Sequence, residues 1–487
     1  MYTYNDLLNV GENEVMRGRF LRSAVNSFMA SPEYKQAVEG QAYYNKHNIT
    51  IEKFQKFLTT ISGKKVQDTI SANYKLKTLF FRRLVMQQVQ YVLGNGVTFE
   101  NKETKKKLGK DFDFQLQKLA KRAMAEGRAF GFWNYDHLEV FGFADTPQEA
   151  GFCPLYDENT SKLMAGIRYW FKSNGKDKYF IATLYEKDGL TEYMQHNADE
   201  PIVTDPKHGY IQKTKKTKAH GIEDIYSYSY SELPIIQMYA NDTHESELVG
   251  MRENIDCYDF VKSGFANNID DFEGFYWIVK NAGGMDDVDL AQFLNRLKRV
   301  HAATLDAEAG VDAQANTAEV PTEARKAMLE LLRSDIYEDF QALDVKTLSA
   351  AAKTTQEIQA AYQSQDNKCS DFEYYIIDFV QKVLELAGID DNPTFVWNRV
   401  VNQQEQTQTL MLAANYLPEE IIIKHLPFLT PEEAEYIIQM KKDEEQDKFS
   451  DDEDNEDEET DDEQASGNKD KGIDQKEKEE VDGEDEA

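Results

Sequence analysis

The chain reads as a mixed α+β protein, and three observations lead there. Helical hydrophobic spacing runs through the first hundred residues and the last third. Short β-rich segments fill the stretch from Gly127 to Tyr239, and two long amphipathic helices enclose a further α/β stretch. At 487 residues the chain is long enough for several sub-regions around sizeable cores.

In chain order, Ser31-Pro32-Glu33 starts a helix, because serine caps free N–H groups and proline suits the first turn. A longer run, Ser71–Leu93, carries Phe80, Phe81, Leu84, Val85, Val89, Val92 and Leu93 and stops at Gly94-Asn95-Gly96. Its cations Lys75, Lys77, Arg82 and Arg83 are expected on a solvated helix face rather than in a nucleic-acid patch. The segments Ala129–Tyr135, Gly166–Phe171, Tyr179–Tyr185 and Leu190–Met194, separated by Gly, Asn and Asp turns, predict an antiparallel β region. The basic stretch Lys207–Lys218 falls in a surface hairpin or loop before Pro234–Tyr239.

Ser246–Phe272 places Leu248, Met251, Ile255, Tyr258, Phe265, Ile269 and Phe272 on one helical face. Arg252, Asp256, Asp259, Ser263, Ala266, Asn267 and Asp270 fall on the other, along a helix about 40 Å long. Next come a strand-like Phe275–Val279, the turn Asn281–Gly284, a helix near Val288–Leu297 and the weakly hydrophobic Ala302–Thr317. Pro321-Thr322-Glu323 opens a second long helix with Ala324, Met328, Leu331, Leu332, Ile336 and Phe340 on one face. Ala342–Gln356 is small, polar and weakly periodic, and carries Lys346, Thr347, Ser349 and Lys353. A long helix follows over Ile358–Leu386, closed by Gly388. Leu417-Pro418-Glu419-Glu420 and the capping box Thr430-Pro431-Glu432-Glu433 start short helices. Beyond Lys441 the chain is a run of acids unable to offset its ordering entropy by burial, so disorder is expected.

The formal charge of −33 lies about half in Lys441–Ala487. Such a balance argues against tight DNA binding, whose nonspecific part comes from Lys and Arg displacing counterions. Cys153, Cys257 and Cys369 fit neither a disulfide framework nor a zinc spacing, and are expected as thiols in a reducing compartment. Met1–Asp6 has no signal-peptide character, and no window reaches the roughly 18 apolar residues of a membrane span, so a protein made and used in solution is expected.

Ser62-Gly63-Lys64-Lys65 and Gly175-Lys176 lack the frame of a phosphate-binding loop, the histidines do not cluster, and no Gly-x-Ser-x-Gly elbow is present. The strongest enzymatic candidate is the set Asp256, Asp259, Asp270 and Asp271, as a magnesium nuclease. On a helix, however, Asp270 and Asp271 diverge by about 100°, and Asp256 and Asp259 have no obvious third ligand. The residues favour a solvated acidic helix face, with no catalytic residue, metal or cofactor.

Taken together and in order, several segments resemble the portal proteins of tailed phages infecting Gram-positive bacteria. They are Asn73-Tyr74-Lys75 leading into Leu84–Gly94, Gly127-Arg128-Ala129-Phe130, Leu233-Pro234-Ile235-Ile236, Ile255–Asp259 with Ser263, Ala266–Phe272, Pro321–Ala324 and Asn402–Gln406. The match covers roughly Ser31 to Lys441, and it is the ordered series rather than any one piece that is specific.

The resemblance implies a portal fold with long stem helices, an α/β clip insertion, a β-containing wing and an α-helical crown. On this mapping, residues 1–245 are wing, 246–272 the first stem helix, 273–320 the clip, 321–341 the second stem helix and 342–356 the tunnel loop. Residues 357–401 are a wing helix and return, 402–440 the crown and 441–487 the acidic tail. A departure is Lys353-Thr354-Thr355-Gln356, where the family often has Ser-Gly.

The implied function is a ring, usually of twelve subunits, at one capsid vertex. Double-stranded DNA passes through it during packaging and ejection. The implied partners are the terminase large subunit, the major capsid and scaffolding proteins, and a head-completion or adaptor protein. The setting is the virion, with assembly in the host cytoplasm and no membrane. Asp256, Asp259, Ser263, Asn267 and Asp270 would line the channel, and Lys346, Thr347, Ser349 and Lys353 would touch DNA from the tunnel loop. Another head protein, a minor capsid or adaptor component, is the structural alternative, but it would not explain two long helices around an insertion.

Overall fold

A computed structural model of the chain describes residues 2–59, 63–69, 71–145, 150–216, 223–270, 275–280, 292, 312–317, 322–346, 355–398, 407, 410–414, 416–426, 429 and 433–443. Local signals set the first helices. Thr3 forms a capping box with Asp6 before α1 (Tyr4–Val10), and the Asn13 side chain accepts from the Met16 N–H before α2 (Glu14–Ala30). Ser31 caps α3 (Pro32–Tyr44) through the Tyr34 N–H, and Asn48 caps α4 (Ile49–Lys53) through the Ile51 N–H. A short hairpin, β1 (Phe57–Thr59) with β2 (Lys65–Gln67), and an extended segment lead to α5 (Phe80–Leu93). Then come β3 (Val97–Phe99), α6 (Lys102–Lys107) and α7 (Phe112–Glu126).

The β region forms two sheets. β4 (Arg128–Asn134) is the middle strand of three, between β5 (His137–Gly142) and β13 (Ile235–Tyr239). β6 (Ala150–Tyr156), β7 (Leu163–Asn174), β8 (Asp177–Glu186), β9 (Gly189–His196) and β10 (Ile202–His208) form an antiparallel meander. The basic stretch enters a hairpin, β11 (Ile211–Lys216) with β12 (Glu223–Tyr228).

Strand alternation in β4 joins two cores. Phe130 and Phe132 point into one with Phe28, Phe152 and Tyr169; Ala129 and Trp133 point into the other with Leu84, Leu119 and Phe379. The second core is completed by α8 (Arg252–Asp270), α9 (Thr322–Asp339) and the long α10 (Thr355–Ala387), whose Cys369, Phe372, Ile376, Phe379, Val380 and Val383 recur every three or four residues. Gly388, at φ +67°, ends α10 in the left-handed region that glycine tolerates. β16 (Pro393–Phe395) then returns to pair with β3.

The second unit, Arg399–Ala487, contains α11 (Glu419–Lys424) and a helical stretch 433–443, where Ile423, Ala434 and Ile438 form a small cluster. No helix among the described residues is long and apolar enough to cross a membrane.

α3 and α7 approach so closely that a Cβ on Gly40 would lie 1.8 Å from the carbonyl oxygen of Ala125. Backbone cannot yield as a side-chain tip does. Gly40→Ala is expected to lower stability by about 1–3 kcal/mol, seen as a lower urea midpoint than wild type.

Several expectations are corrected by this fold. The helix expected over Ser71–Leu93 begins only at Phe80, because residues 71–79 are extended and spend alternate N–H groups on α8. α8 begins at Arg252, not Ser246, because buried Ser246 donates to the Ala125 carbonyl and anchors the preceding turn on α7. Ile269 is 72% exposed, and on α9 Met328 and Leu331 are exposed beside buried Leu332 and Ile336. Amphipathic spacing marks an apolar face without saying that one chain covers all of it.

The insertion between α8 and α9 pairs β14 (Phe275–Lys280) with β15 (Asp312–Thr317), a strand that weak hydrophobicity had hidden. Apart from residue 292, which is helical, the helix expected near Val288–Leu297 lies outside the described residues, as do positions 430–432 of the capping box and the tail beyond residue 443.

Candidate functional site

The candidate site is the antiparallel pair α8 and α9 with the chain that packs on it. Asn254 donates to Asp339 at 2.7 Å near one end, and the Arg325 guanidinium lies 5.9 Å from the Phe265 ring near the other. Phe80 sits between them, edge-on to Tyr258 at 4.9 Å and to Tyr337 at 6.3 Å.

The polar face of α8 is already occupied. Asp259 accepts from the Thr78 N–H at 3.0 Å and from the Asn48 side-chain amide at 3.0 Å. Ser263 accepts from the Leu76 N–H at 2.9 Å, and Asn267 from the Tyr74 N–H at 2.6 Å. The repeats match. Four helical residues rise about 6 Å and two extended residues about 6.6–6.8 Å, so every fourth side chain on α8 meets every second N–H of the antiparallel segment. Asp259 is fully buried, and Ser263 and Asn267 nearly so. Burial pushes the Asp259 carboxyl above its ordinary range, opposed by its bonds to Thr78 and Asn48.

Asp256 accepts from the Tyr43 hydroxyl at 2.6 Å and the Thr50 hydroxyl at 2.8 Å. Burial, with Asp256 beside it, pushes the Tyr43 hydroxyl up to about 12.

Asp259, Ser263 and Asn267, expected on an open polar face, are instead turned inward, onto a segment from 180 or more positions earlier in the chain. Asp270 ends α8, and its side chain lies outside the described residues, as does Asp271. The magnesium reading weakens for the same reason, because Asp256 and Asp259 direct their lone pairs at donors of the chain itself. No cluster of three metal-ligating side chains occurs among the described residues.

The exposed acidic stripe lies on α9 instead. Glu323, Ala327, Glu330, Ser334 and Glu338, spaced four, three, four and four apart, share one face and are all exposed. Ser334 donates to Glu338 at 3.0 Å, and Lys326 pairs with Glu323 at 2.9 Å. That spacing was visible in the sequence. Which of the two helices kept a bare polar face was not.

After α9 the chain is tied down before it leaves. Arg333 grips Asp344 with two bonds of 2.7 and 3.1 Å, and Gln87 donates to the Leu343 carbonyl at 2.9 Å. Burial works against the charged Asp344, but Arg333 outweighs it and holds the carboxyl below its usual range. Lys346 follows, exposed, with its backbone N–H on Asp344 at 3.0 Å. Thr347, Ser349 and Lys353 lie outside the described residues.

Lys75 and Lys77 of the Ser71–Leu93 run are used within the chain, whereas Arg82 and Arg83 stay exposed. Lys77 pairs with Glu52 at 2.5 Å, Lys75 donates to the Glu52 carbonyl, and Arg82 and Arg83 lie over the rings of Tyr44 and Phe80. Cys153 and Cys369 are buried and Cys257 is half-buried, all as thiols.

The family model described as phage portal protein, SPP1 Gp6-like, matches residues 32–448. The portal protein of Clostridium phage phiCD119 is 25% identical over 441 residues, covering 84% of this chain and 93% of that one. The portal protein of Bacillus phage SPP1 is 24% identical over 424 residues, 82% of each chain.

Proposed function

The chain belongs to the SPP1 Gp6-like family of phage portal proteins, and on that premise we propose that it is one subunit of a ring-shaped channel at a capsid vertex. Double-stranded DNA is packaged and later ejected through the ring, which we take to have twelve subunits. In this reading α8 and α9 are the stem, residues 273–320 the clip that docks the terminase large subunit and later a head-completion protein, and 342–356 the tunnel loop. Residues 1–245 and 357–401 form the wing, and 402–440 the crown, which meets capsid and scaffolding proteins.

The observation that carries the proposal is the antiparallel α8–α9 pair around an insertion, with an exposed acidic stripe on α9. Each Lys or Arg contact to phosphate adds salt-dependent affinity, so a wall of Glu323, Glu330, Ser334 and Glu338 lets a duplex slide where a basic wall would hold it. Lys346 at the mouth of the loop supplies a transient contact.

Glu330→Lys together with Glu338→Lys should leave rings with a central hole in negative-stain images and reduce the DNA packaged per procapsid. A monomer in those images would overturn the ring, and full packaging by the variant would overturn the α9 wall.

A further inference from the structure

A cavity of about 300 Å³ lies between α3 and α7, lined by Gln41, Tyr44, Asn45, Phe114, Lys118, Lys121, Arg122 and Ala144. Arg82 of α5 adds a cation beside it, its guanidinium 5.5 Å from the ring centre of Tyr44. Arg122 is committed to Asp145 and Glu126. Among the described residues, no carboxylate pairs with Arg82, Lys118 or Lys121. In a chain with 88 acids to 55 bases, these three cations gather around one cavity without such a partner. Some cations elsewhere do have such partners, as Arg17 does with Glu186 at 2.7 Å and Lys368 with Glu247 at 2.5 Å.

We propose that this cavity docks an acidic segment of a partner protein, with Arg82, Lys118 and Lys121 receiving its carboxylates. Burial and the neighbouring Arg82 hold the Lys121 ammonium below its usual range, a repulsion that a bound anion relieves. Phe114, 66% exposed, stands one turn before Lys118 on α7 and offers an apolar contact to the same ligand. A peptide fits better than nucleic acid. Duplex binding draws on many phosphate contacts along a groove, whereas here the cations surround one small cavity on a chain whose net charge of −33 opposes a long polyanion.

The test is fluorescence anisotropy of the full-length protein with a labelled, capped aspartate-rich peptide carrying one leucine. Wild type should bind saturably, and the affinity should fall as salt is added. Arg82→Gln combined with Lys121→Gln should weaken binding by about tenfold or more. The exposed Lys118→Glu, which disturbs no packing, should do the same, while Lys107→Gln on α6 should bind as wild type does. The proposal is overturned by absence of saturable binding, by equal affinity in all variants, or by mixed-sequence duplex DNA displacing the peptide.

Discussion

Replacing Glu126 with alanine is expected to destabilise the protein by about 3–5 kcal/mol, the range for breaking a buried charged network from one side. The side chain is buried at the end of α7. It accepts from the Gln41 amide at 2.6 Å and the Phe143 N–H at 2.5 Å, and lies 3.8 Å from the Arg122 guanidinium. Alanine would leave the Gln41 amide and the Phe143 N–H in the core without an acceptor, and would take from Arg122 one of its two carboxylates, Asp145 remaining.

The same carboxyl carries a pH signature. Burial, opposed chiefly by Arg122, pushes it up to about 7 from an ordinary 4.5. A carboxyl raised in the folded state binds its proton more tightly there than in the unfolded chain. Its stabilising contribution is therefore fully present below pH 4.5 and is lost as pH rises through about 7. Asp344 and Asp391, held below the usual carboxylate value of 3.8, act oppositely and in a lower window. Between pH 5 and 8 the wild type should thus lose stability relative to Glu126→Gln, by an amount on the order of 3 kcal/mol across the window. Parallel curves of urea midpoint against pH for the two proteins would rule the assignment out.

Asp259→Ala is expected to have the next largest effect, about 2–5 kcal/mol, because a Thr78 N–H and an Asn48 amide are each left unsatisfied in a buried place. Ser263→Ala and Asn267→Ala should each cost about 0.5–1.5 kcal/mol. The distinctive consequence is local. Residues 71–79 hold to α8 through three side-chain bonds at alternate positions, so loss of Asp259 should raise amide exchange at Tyr74, Leu76 and Thr78 well before global unfolding. Unchanged exchange at those three amides would show that the segment is held by something else.

Much of this architecture was legible residue by residue. The start at Ser31-Pro32, the meander strands, the pairing segment before Tyr239 and the closure of α10 at Gly388 all rest on signals spanning a few residues. Caps, period-two alternation and a glycine past a helix end act locally, so they survive without knowledge of the fold. The ordered series of short motifs pointed to the portal family for a related reason: each is weak, but their sequence along the chain is itself information.

The candidate site divided differently. Periodicity established on its own that Ser246–Phe272 and Pro321–Phe340 each hold an amphipathic helix. It could not say what lies against the polar face of either. The covering segment, residues 71–79, comes from the other side of the whole β region, and its affinity for α8 depends on backbone N–H groups that every residue type shares. Because backbone donors leave no mark in a sequence, only the tertiary structure could decide that Asp259, Ser263 and Asn267 are internal latches and that the bare acidic face belongs to α9.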